Sequence, residues 1–233
     1  MPWDFWLIFI ALVLVIPWRG YYRLQKLFAR PQVESAERIA LYAWTVAFQW
    51  FATLIVAWRA WARGVSTEQL GLLSRGPRVW VAAAVGLLVV SSLHWLNLRR
   101  IGRLAPAERG RVQQVAERIL PRNAREFLVY SSLAVTAGIC EEFLYRGFVM
   151  AVLARAGFAL WAVVLLSSIF FGLAHVYQGR AGFVSTLFVG VVFALARTAC
   201  DSLVPVMIWH AGVDLVAGAA GYRYLLRSTS NNK

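Results

Sequence analysis

Long apolar stretches, separated by short polar connections, dominate the sequence. Each stretch is close to the 17 to 25 residues that an α-helix needs to cross a bilayer. In chain order they cover residues 3–18, 40–57, 79–98, 127–154, 158–175, 181–200 and 203–221. The pattern predicts an all-α fold, a polytopic transmembrane helical bundle with about seven spans and eight as the alternative.

Two of these stretches need comment. Residues 127–154 would extend over about 42 Å as a straight helix, so we expect this span to tilt, break or project beyond the hydrocarbon. Residues 3–18 lack a basic start and have no small-residue cleavage site before Arg19. We therefore interpret the first stretch as a retained span and not as a signal peptide.

The composition agrees with a membrane protein. Hydrophobic residues make up 60% of the chain and charged residues 15%, which excludes an ordinary water-soluble globule. The net charge is +13, but the basic residues lie in the connections and not on one polar face, so the charge indicates contact with membrane lipids and no nucleic acid. Cys140 and Cys200 form neither a disulfide framework nor a paired metal-binding spacing.

Basic residues also predict an orientation. Seventeen Lys and Arg residues lie in connections on one side of the predicted bundle: residues 19–38 and 99–126, the connection that contains Arg180, and the C-terminal tail. Six lie in the connections on the other side. The positive-inside rule then places the N-terminus outside and the C-terminus in the cytoplasm of a bacterial inner or plasma membrane. One missed helix would reverse every later segment. Within 103–126, an apolar face formed by Val112, Val115, Ile119 and Leu120 predicts a helix along the cytoplasmic membrane surface.

Ionisable residues occur inside the last four apolar stretches, where each costs about 2.5–3.5 kcal/mol to insert. They are Glu141, Glu142, Arg146, His175, His210 and Asp214. A common functional site would explain this cost. The alternative for the glutamates and the arginine is an ion pair that only pins two helices together.

The helical spacing assigns different positions to the two glutamates. Glu142 and Arg146 are four residues apart and share a face, so they are expected to pair. Glu141 points about 100° away, where the Tyr145 hydroxyl is expected to reach its carboxylate. Glu141 is therefore the candidate base, and Glu142 with Arg146 supports it.

Two histidines complete the candidate site. His175 shares a helix face with Phe171, which we interpret as a packing residue. Asp214 lies one turn after His210 and is expected to accept the second N–H of its imidazole. His94 is interpreted as an interfacial residue beside Trp95.

Two chemistries fit this set of residues. His175 and His210 with one carboxylate could hold a catalytic zinc ion, whereas glutamate and histidine could activate water without a metal. The sequence leaves both open. Each leads to hydrolysis of an amide bond, with a membrane-associated protein or peptide as the substrate.

The three motifs also resemble those of a known family. Glu141-Glu142-Phe-Leu-Tyr-Arg146, Phe171-Gly-Leu-Ala-His175 and His210-Ala-Gly-Val-Asp214 are similar, in order and spacing, to the EExxxR, FxxxH and HxxxN/D motifs of the CPBP intramembrane proteases, which include the type II CAAX prenyl endopeptidases. The resemblance implies a conical cavity, Glu141 and His175 as the water-activating pair, and His210 with residue 214 at the oxyanion. The prenyl endopeptidases usually have Asn where this chain has Asp214, and an ionised carboxylate would repel an oxyanion.

Hydropathy and the resemblance, which covers about 127–221, together predict three regions. Residues 1–126 would be N-terminal transmembrane helices with basic cytoplasmic loops, 127–221 the catalytic helix core, and 222–233 a cytoplasmic polar tail. Two other functions stay open: a noncatalytic membrane binding or bacteriocin-immunity protein, and a proton-coupled transporter, although no inverted repeat is evident.

Straight helices would not bring the candidate residues together. Counted from the presumed outer ends, His210 would lie about 10 Å deep, Glu141 about 20 Å and His175 about 26 Å. We therefore expect tilted or offset helices around a water-accessible cavity that opens towards the cytoplasmic half.

Overall fold

A computed structural model describes residues 1–73 and 76–226. These residues form ten α-helices joined by short π-helical, 3₁₀-helical and irregular segments. The α-helices are α1 Trp3–Ile10, α2 Ile16–Phe28, α3 Ser35–Ala62, α4 Pro77–Ile101, α5 Gly110–Ile119, α6 Ala124–Glu142, α7 Met150–Arg155, α8 Leu160–Ala174, α9 Gly179–Cys200 and α10 Val204–Gly221. The predicted all-α membrane bundle is confirmed.

All seven predicted apolar stretches are helical, but not all are long enough to span a bilayer. Among the described residues, six continuous helical segments are long and apolar enough to cross a membrane. The fifth predicted stretch forms only the 15 residues of α8, or about 22 Å, because Gly157 with a φ of 86° ends the preceding turn and the helix stops before His175. The described residues therefore contain six full-length spans, and α8 is a shorter apolar helix beside them.

The fourth predicted stretch is the centre of the bundle. Half of its most apolar window is buried within the protein, compared with 11% for α4 and 17% for α3. The segment is 32 residues long, and it does not continue as a regular α-helix. A π-helical segment, Phe143–Val149, follows Glu142 directly, and all seven of its residues are buried. We expected this overlong span to tilt, break or project beyond the hydrocarbon. The structure shows a break in the regular α-helix, because a π-helical segment interrupts it within the span.

Close helix contacts place α6 between α3 and α10. A Cβ atom on Gly138 of α6 would lie 2.7 Å from the carbonyl oxygen of Met207 and 2.9 Å from the backbone nitrogen of Ala211 in α10. Only glycine allows this approach. It occurs one turn before Glu142, so it sets how closely His210 of α10 approaches the glutamates.

The amphipathic segment is helical as predicted, but its apolar side faces the protein. Val112, Val115 and Ile119 of α5 line a cavity in the bundle, and Ala116 packs against Leu225 beyond α10. The sequence pattern could not distinguish an apolar face that covers a cavity from one that rests on lipid. The neighbouring Arg109 fixes the start of α5 by donating to the carbonyl oxygens of Gly102 and Leu104.

The predicted polar tail begins as part of the fold. Tyr222–Leu226 continue α10 as a π-helical turn, and Leu225 is almost completely buried. Residues 227–233 lie outside the described residues, so the tail itself stays a prediction.

Candidate active site

Glu142 forms the buried polar centre of the site. Its side chain is fully inaccessible, and Oε1 accepts a hydrogen bond of 2.9 Å from Nη1 of Arg146. The same oxygen lies 2.7 Å from Nδ1 of His210. The predicted Glu142–Arg146 pair is therefore present. Because a carboxylate shared by two donors fixes both of them, Glu142 determines where His210 points.

Asp214 does not hold His210 in the way expected. Its Oδ2 lies 3.8 Å from Nε2 of His210, which is too long for a hydrogen bond. The position beside Nδ1 is already taken by Glu142, which reaches it from another helix. Asp214 instead lines the cavity, with about a third of its side chain exposed.

Phe171 separates the arginine from the cavity. The guanidinium carbon of Arg146 lies 3.9 Å from the centre of the Phe171 ring, and that ring contacts both His175 and His210, with centroid separations of 4.7 and 5.8 Å. A cation over an aromatic face is attracted to it, and the interaction strengthens out of water. Phe171 is a packing residue, as predicted, and it packs three candidate residues in one place.

Glu141 faces away from Glu142 and into the cavity. Its Oε1 accepts a 2.7 Å hydrogen bond from Nε2 of Gln49 in α3. The expected partner, the Tyr145 hydroxyl, makes no hydrogen bond among residues 1–73 and 76–226. The prediction of a Tyr145 contact was wrong, because the hydrogen-bond partner of this carboxylate is an amide that lies 92 positions away on another helix. A signal was present in the sequence, since Gln49 is an amide inside the apolar stretch 40–57.

His175 lies opposite Glu141, with Nε2 3.9 Å from Oε2 of the carboxylate. Nδ1 of His175 lies 2.9 Å from the carbonyl oxygen of Phe171. A carbonyl can only accept, so Nδ1 carries a proton, and in the neutral ring Nε2 is left with a lone pair that faces Glu141. The two groups are too far apart to bond directly and close enough to share one small molecule.

The three depths estimated for straight helices do not apply, because the helices are offset. His175 caps the short α8 and is followed by the 3₁₀ turn Val176–Gln178, while α10 lies close against α6 at Gly138. Glu141, His175, His210 and Asp214 therefore line one cavity of about 420 Å³, which we call the main cavity. His94, interpreted from sequence as interfacial, also lines it.

A second cavity of about 230 Å³, the side cavity, shares Glu141 and His175 with the main cavity. It runs between α2 and α3, past Gln49 to Arg19 and Arg23. Glu141 and His175 are thus accessible from two directions.

The described His, Cys, Asp and Glu side chains do not form a three-ligand metal site. In the part of the chain that the structure describes, no three His, Cys, Asp or Glu side chains are placed to hold one ion. Nδ1 of each histidine is occupied, by Phe171 in one case and by Glu142 in the other. Cys140 is completely buried. Nε2 of each histidine stays available, but the described side chains do not place a third ligand beside both histidines, so they give no support to the zinc alternative.

Comparison with known proteins gives one family match. Residues 123–216 match the sequence model of a family described as "Type II CAAX prenyl endopeptidase Rce1-like". This segment, less than half of the chain, is similar to the Rce1-like family. The family resemblance seen in the motifs is confirmed, and it indicates an intramembrane protease of the CAAX type. Neither curated proteins nor solved structures gave a significant match to the chain.

The Rce1-like segment begins at Asn123, the residue that caps α6 by accepting from the backbone nitrogen of Glu126. It contains all six ionisable residues selected from the sequence. Gln49 and the two arginines of the side cavity lie outside it, in helices that the family match does not cover. The protein is an integral membrane protein, and its N-terminal helices contribute walls to both cavities.

Proposed function

We propose that this protein hydrolyses a peptide bond of a membrane-associated protein or peptide, using water activated by Glu141 and His175. The observation that carries the proposal is the 3.9 Å gap between Oε2 of Glu141 and Nε2 of His175 at the meeting point of the two cavities. Two acceptors at this separation can both hold one water molecule at ordinary hydrogen-bond distances.

The proposed reaction begins when Glu141 takes a proton from that water. The water oxygen forms a bond to the carbonyl carbon of the substrate, and the carbonyl electrons move to oxygen as a tetrahedral oxyanion. The oxyanion electrons re-form the carbonyl as the C–N bond breaks, and Glu141 passes its proton to the leaving nitrogen, so the products are an amine and a carboxylic acid, which then ionises into water. Gln49 keeps the Glu141 carboxylate in place through its 2.7 Å hydrogen bond.

His210 is the proposed oxyanion donor. Its Nδ1 is held by the buried Glu142, so Nε2 points towards the main cavity and donates to the oxyanion when it carries a proton. Asp214, 3.8 Å from that nitrogen, acts on His210 in this scheme and not on the oxyanion, which an ionised carboxylate would repel. Glu142 and Arg146 are positioning residues because neither lines either cavity.

The proposed setting is a bacterial inner or plasma membrane, with the N-terminus outside and the C-terminus in the cytoplasm. The distribution of Lys and Arg supports this orientation. Because α8 is shorter than a full span, the predicted orientation depends on whether α8 counts as a crossing. Labelling of single cysteines placed in each connection, from one side of sealed vesicles, tests it directly.

The function is tested by comparing membrane proteomes of strains that carry the wild-type protein, Glu141→Gln or His175→Ala. Loss of a general base typically costs 10² to 10⁴ in rate, so uncut precursors are expected to accumulate in both variant strains. Glu117→Gln is the matched control, because Glu117 lies on α5 and lines neither cavity. If properly inserted Glu141→Gln protein gave the wild-type pattern of processing, the enzyme proposal would fail and a noncatalytic binding role would take its place.

A further inference from the structure

Two arginines line the side cavity, and among the residues that the structure describes neither has a carboxylate partner. Arg19 and Arg23 are four residues apart on α2, so their side chains share a face. Within the described ranges, Arg23 donates one hydrogen bond, 3.3 Å to Oγ1 of Thr45, and the Arg19 guanidinium lies 3.7 Å from the centre of the Phe48 ring. Both side chains are partly buried. Like charges on one helix face repel each other, and an anion between them would relieve that repulsion.

The contacts of these arginines locate them relative to Glu141. Thr45 and Gln49 are four residues apart on α3, which is about 6 Å along the helix axis. Arg23 contacts Thr45, and Gln49 contacts Glu141. Arg19 contacts Phe48, the neighbour of Gln49. The α3 contacts of the arginines therefore lie within about one helical turn of Gln49, the partner of Glu141, and one turn is about the length of two extended peptide residues.

We propose that Arg19 and Arg23 bind a carboxylate of the peptide substrate, within about two residues of the bond that is cut. This inference rests on the proposed function and adds a charge requirement to it. Arginine guanidinium groups bind carboxylates through paired N–H donors, and such hydrogen bonds are stronger than neutral ones. The carboxylate could belong to the end of the chain or to an Asp or Glu side chain, since both present the same two oxygens.

A peptide fits the side cavity better than a lipid headgroup. The cavity shares Glu141 and His175 with the main cavity, so whatever fills it touches the groups proposed to activate water. A lipid that filled this cavity would obstruct the reaction, whereas a substrate that filled it would lie beside both groups. The remaining wall is largely apolar, with Leu24, Leu27 and Leu41 among its residues, and suits apolar side chains between the carboxylate and the cut bond.

The test uses full-length protein in phosphatidylcholine vesicles and a pool of acylated peptides with four randomised final residues. The pool is supplied with a free C-terminal carboxylate and as the C-terminal amide, and the products are read by mass spectrometry. We expect the wild type to favour peptides with a carboxylate near the cut over their amide or Asn and Gln counterparts by about tenfold, roughly the effect of one charge-assisted hydrogen bond. Comparison of the free-acid and side-chain arms identifies which carboxylate is bound.

In the Arg19→Gln/Arg23→Gln variant, the ratio of cleavage of carboxylate peptides to cleavage of their neutral counterparts should fall close to one. Arg99→Gln/Arg100→Gln is the matched control, because it removes the same charge from exposed positions on α4 that line neither cavity. It should keep the wild-type ratio. Arg19→Lys/Arg23→Lys retains the charge and should keep part of the preference, which gives a second reading if the glutamine variant does not fold.

Retention of the same pool on immobilised protein separates the two proposals. Arginine-dependent retention of carboxylate peptides without any cleavage would support the binding site and contradict the protease. Cleavage with no charge preference in the wild type, or an unchanged preference after the arginines are replaced, would overturn the binding site and leave the protease intact. An effect of the arginines that follows the phosphatidylglycerol content of the vesicles, and not the peptide charge, would assign the pair to a lipid phosphate and overturn the inference.

Discussion

The buried pair of Glu142 and Arg146 permits a quantitative prediction. Both side chains are fully inaccessible and 2.9 Å apart, so replacing one leaves an unpaired charge in the interior. Such a change typically costs about 3–5 kcal/mol, whereas replacing both charges together costs much less. Glu142→Gln and Arg146→Met should therefore each lower the free energy of unfolding by about 3–5 kcal/mol. The double variant should lose only about 2 kcal/mol, less than either single variant, which means a coupling of about 4 kcal/mol or more.

Other contacts of the two residues are retained in the double variant. A glutamine at 142 can still accept from Nδ1 of His210, and a methionine at 146 can still contact the Phe171 ring through sulfur. The remaining loss of stability in the double variant is expected from the missing contact between the Arg146 cation and the Phe171 ring, which is worth about 2 kcal/mol when desolvated.

The measurement is SDS-induced unfolding in mixed micelles, followed by tryptophan fluorescence, for the wild type, both single variants and the double variant. The exposed ion pair of Arg30 and Glu37 provides a matched control cycle, Glu37→Gln with Arg30→Met, in which every change should stay below about 1 kcal/mol. If the loss in the Glu142 and Arg146 double variant equalled the sum of the two single losses, the charges would not compensate each other and the argument would be refuted.

Four further predictions follow from individual contacts. Gly138→Ala should lower stability by about 1–3 kcal/mol and reduce activity, because its Cβ would meet backbone atoms of α10; Gly20→Ala, with its nearest neighbour at 3.6 Å, should not destabilise the protein in the same unfolding assay. Gln49→Leu should lower kcat by about tenfold or more through loss of a hydrogen bond to a charged group, and equal kcat values would remove Gln49 from the mechanism. In folded protein, maleimide should label Cys200 and leave the fully buried Cys140 unmodified; rapid labelling of Cys140 would contradict the packing around α6. Proteolytic activity should persist after prolonged treatment with a chelator, because the described side chains offer no three-ligand site. If the chelator abolished activity and only added zinc restored it, the mechanism without a metal would be disproved.

The positions of the helices could be predicted from hydrophobicity because membrane insertion selects for long apolar segments, almost independently of how those segments pack. The same signal failed to show that α8 is too short to cross a bilayer alone. Its boundaries depend on the backbone at Gly157 and on the end of the helix before His175. Composition alone gives only a weak indication of either boundary.

The candidate site was predictable in part because buried charges are rare in membrane helices and so attract attention in the sequence. The partners of those charges were not predictable. Gln49 reaches Glu141 across 92 positions, and Glu142 reaches Nδ1 of His210 across 68. A rule based on spacing compares only residues within one helix. It therefore predicted Tyr145 as the partner of Glu141 and Asp214 as the partner of His210, the nearest candidates on the same helices. The two partners observed come from packing between helices.

The adjacent glutamates show how one helix can carry two different acidic functions. Neighbouring residues on a helix point about 100° apart, so Glu142 faces Arg146 and His210 in the interior while Glu141 faces the cavities. The buried residue is held by a cation and an imidazole, and its cost is offset inside the protein. The residue in the cavity has a single amide partner on one oxygen, and its other oxygen makes no hydrogen bond within the described residues. A carboxylate held on one side and free on the other suits a group that must take up and release a proton, so the pairing of a fixed and a free glutamate follows from placing both at the end of α6.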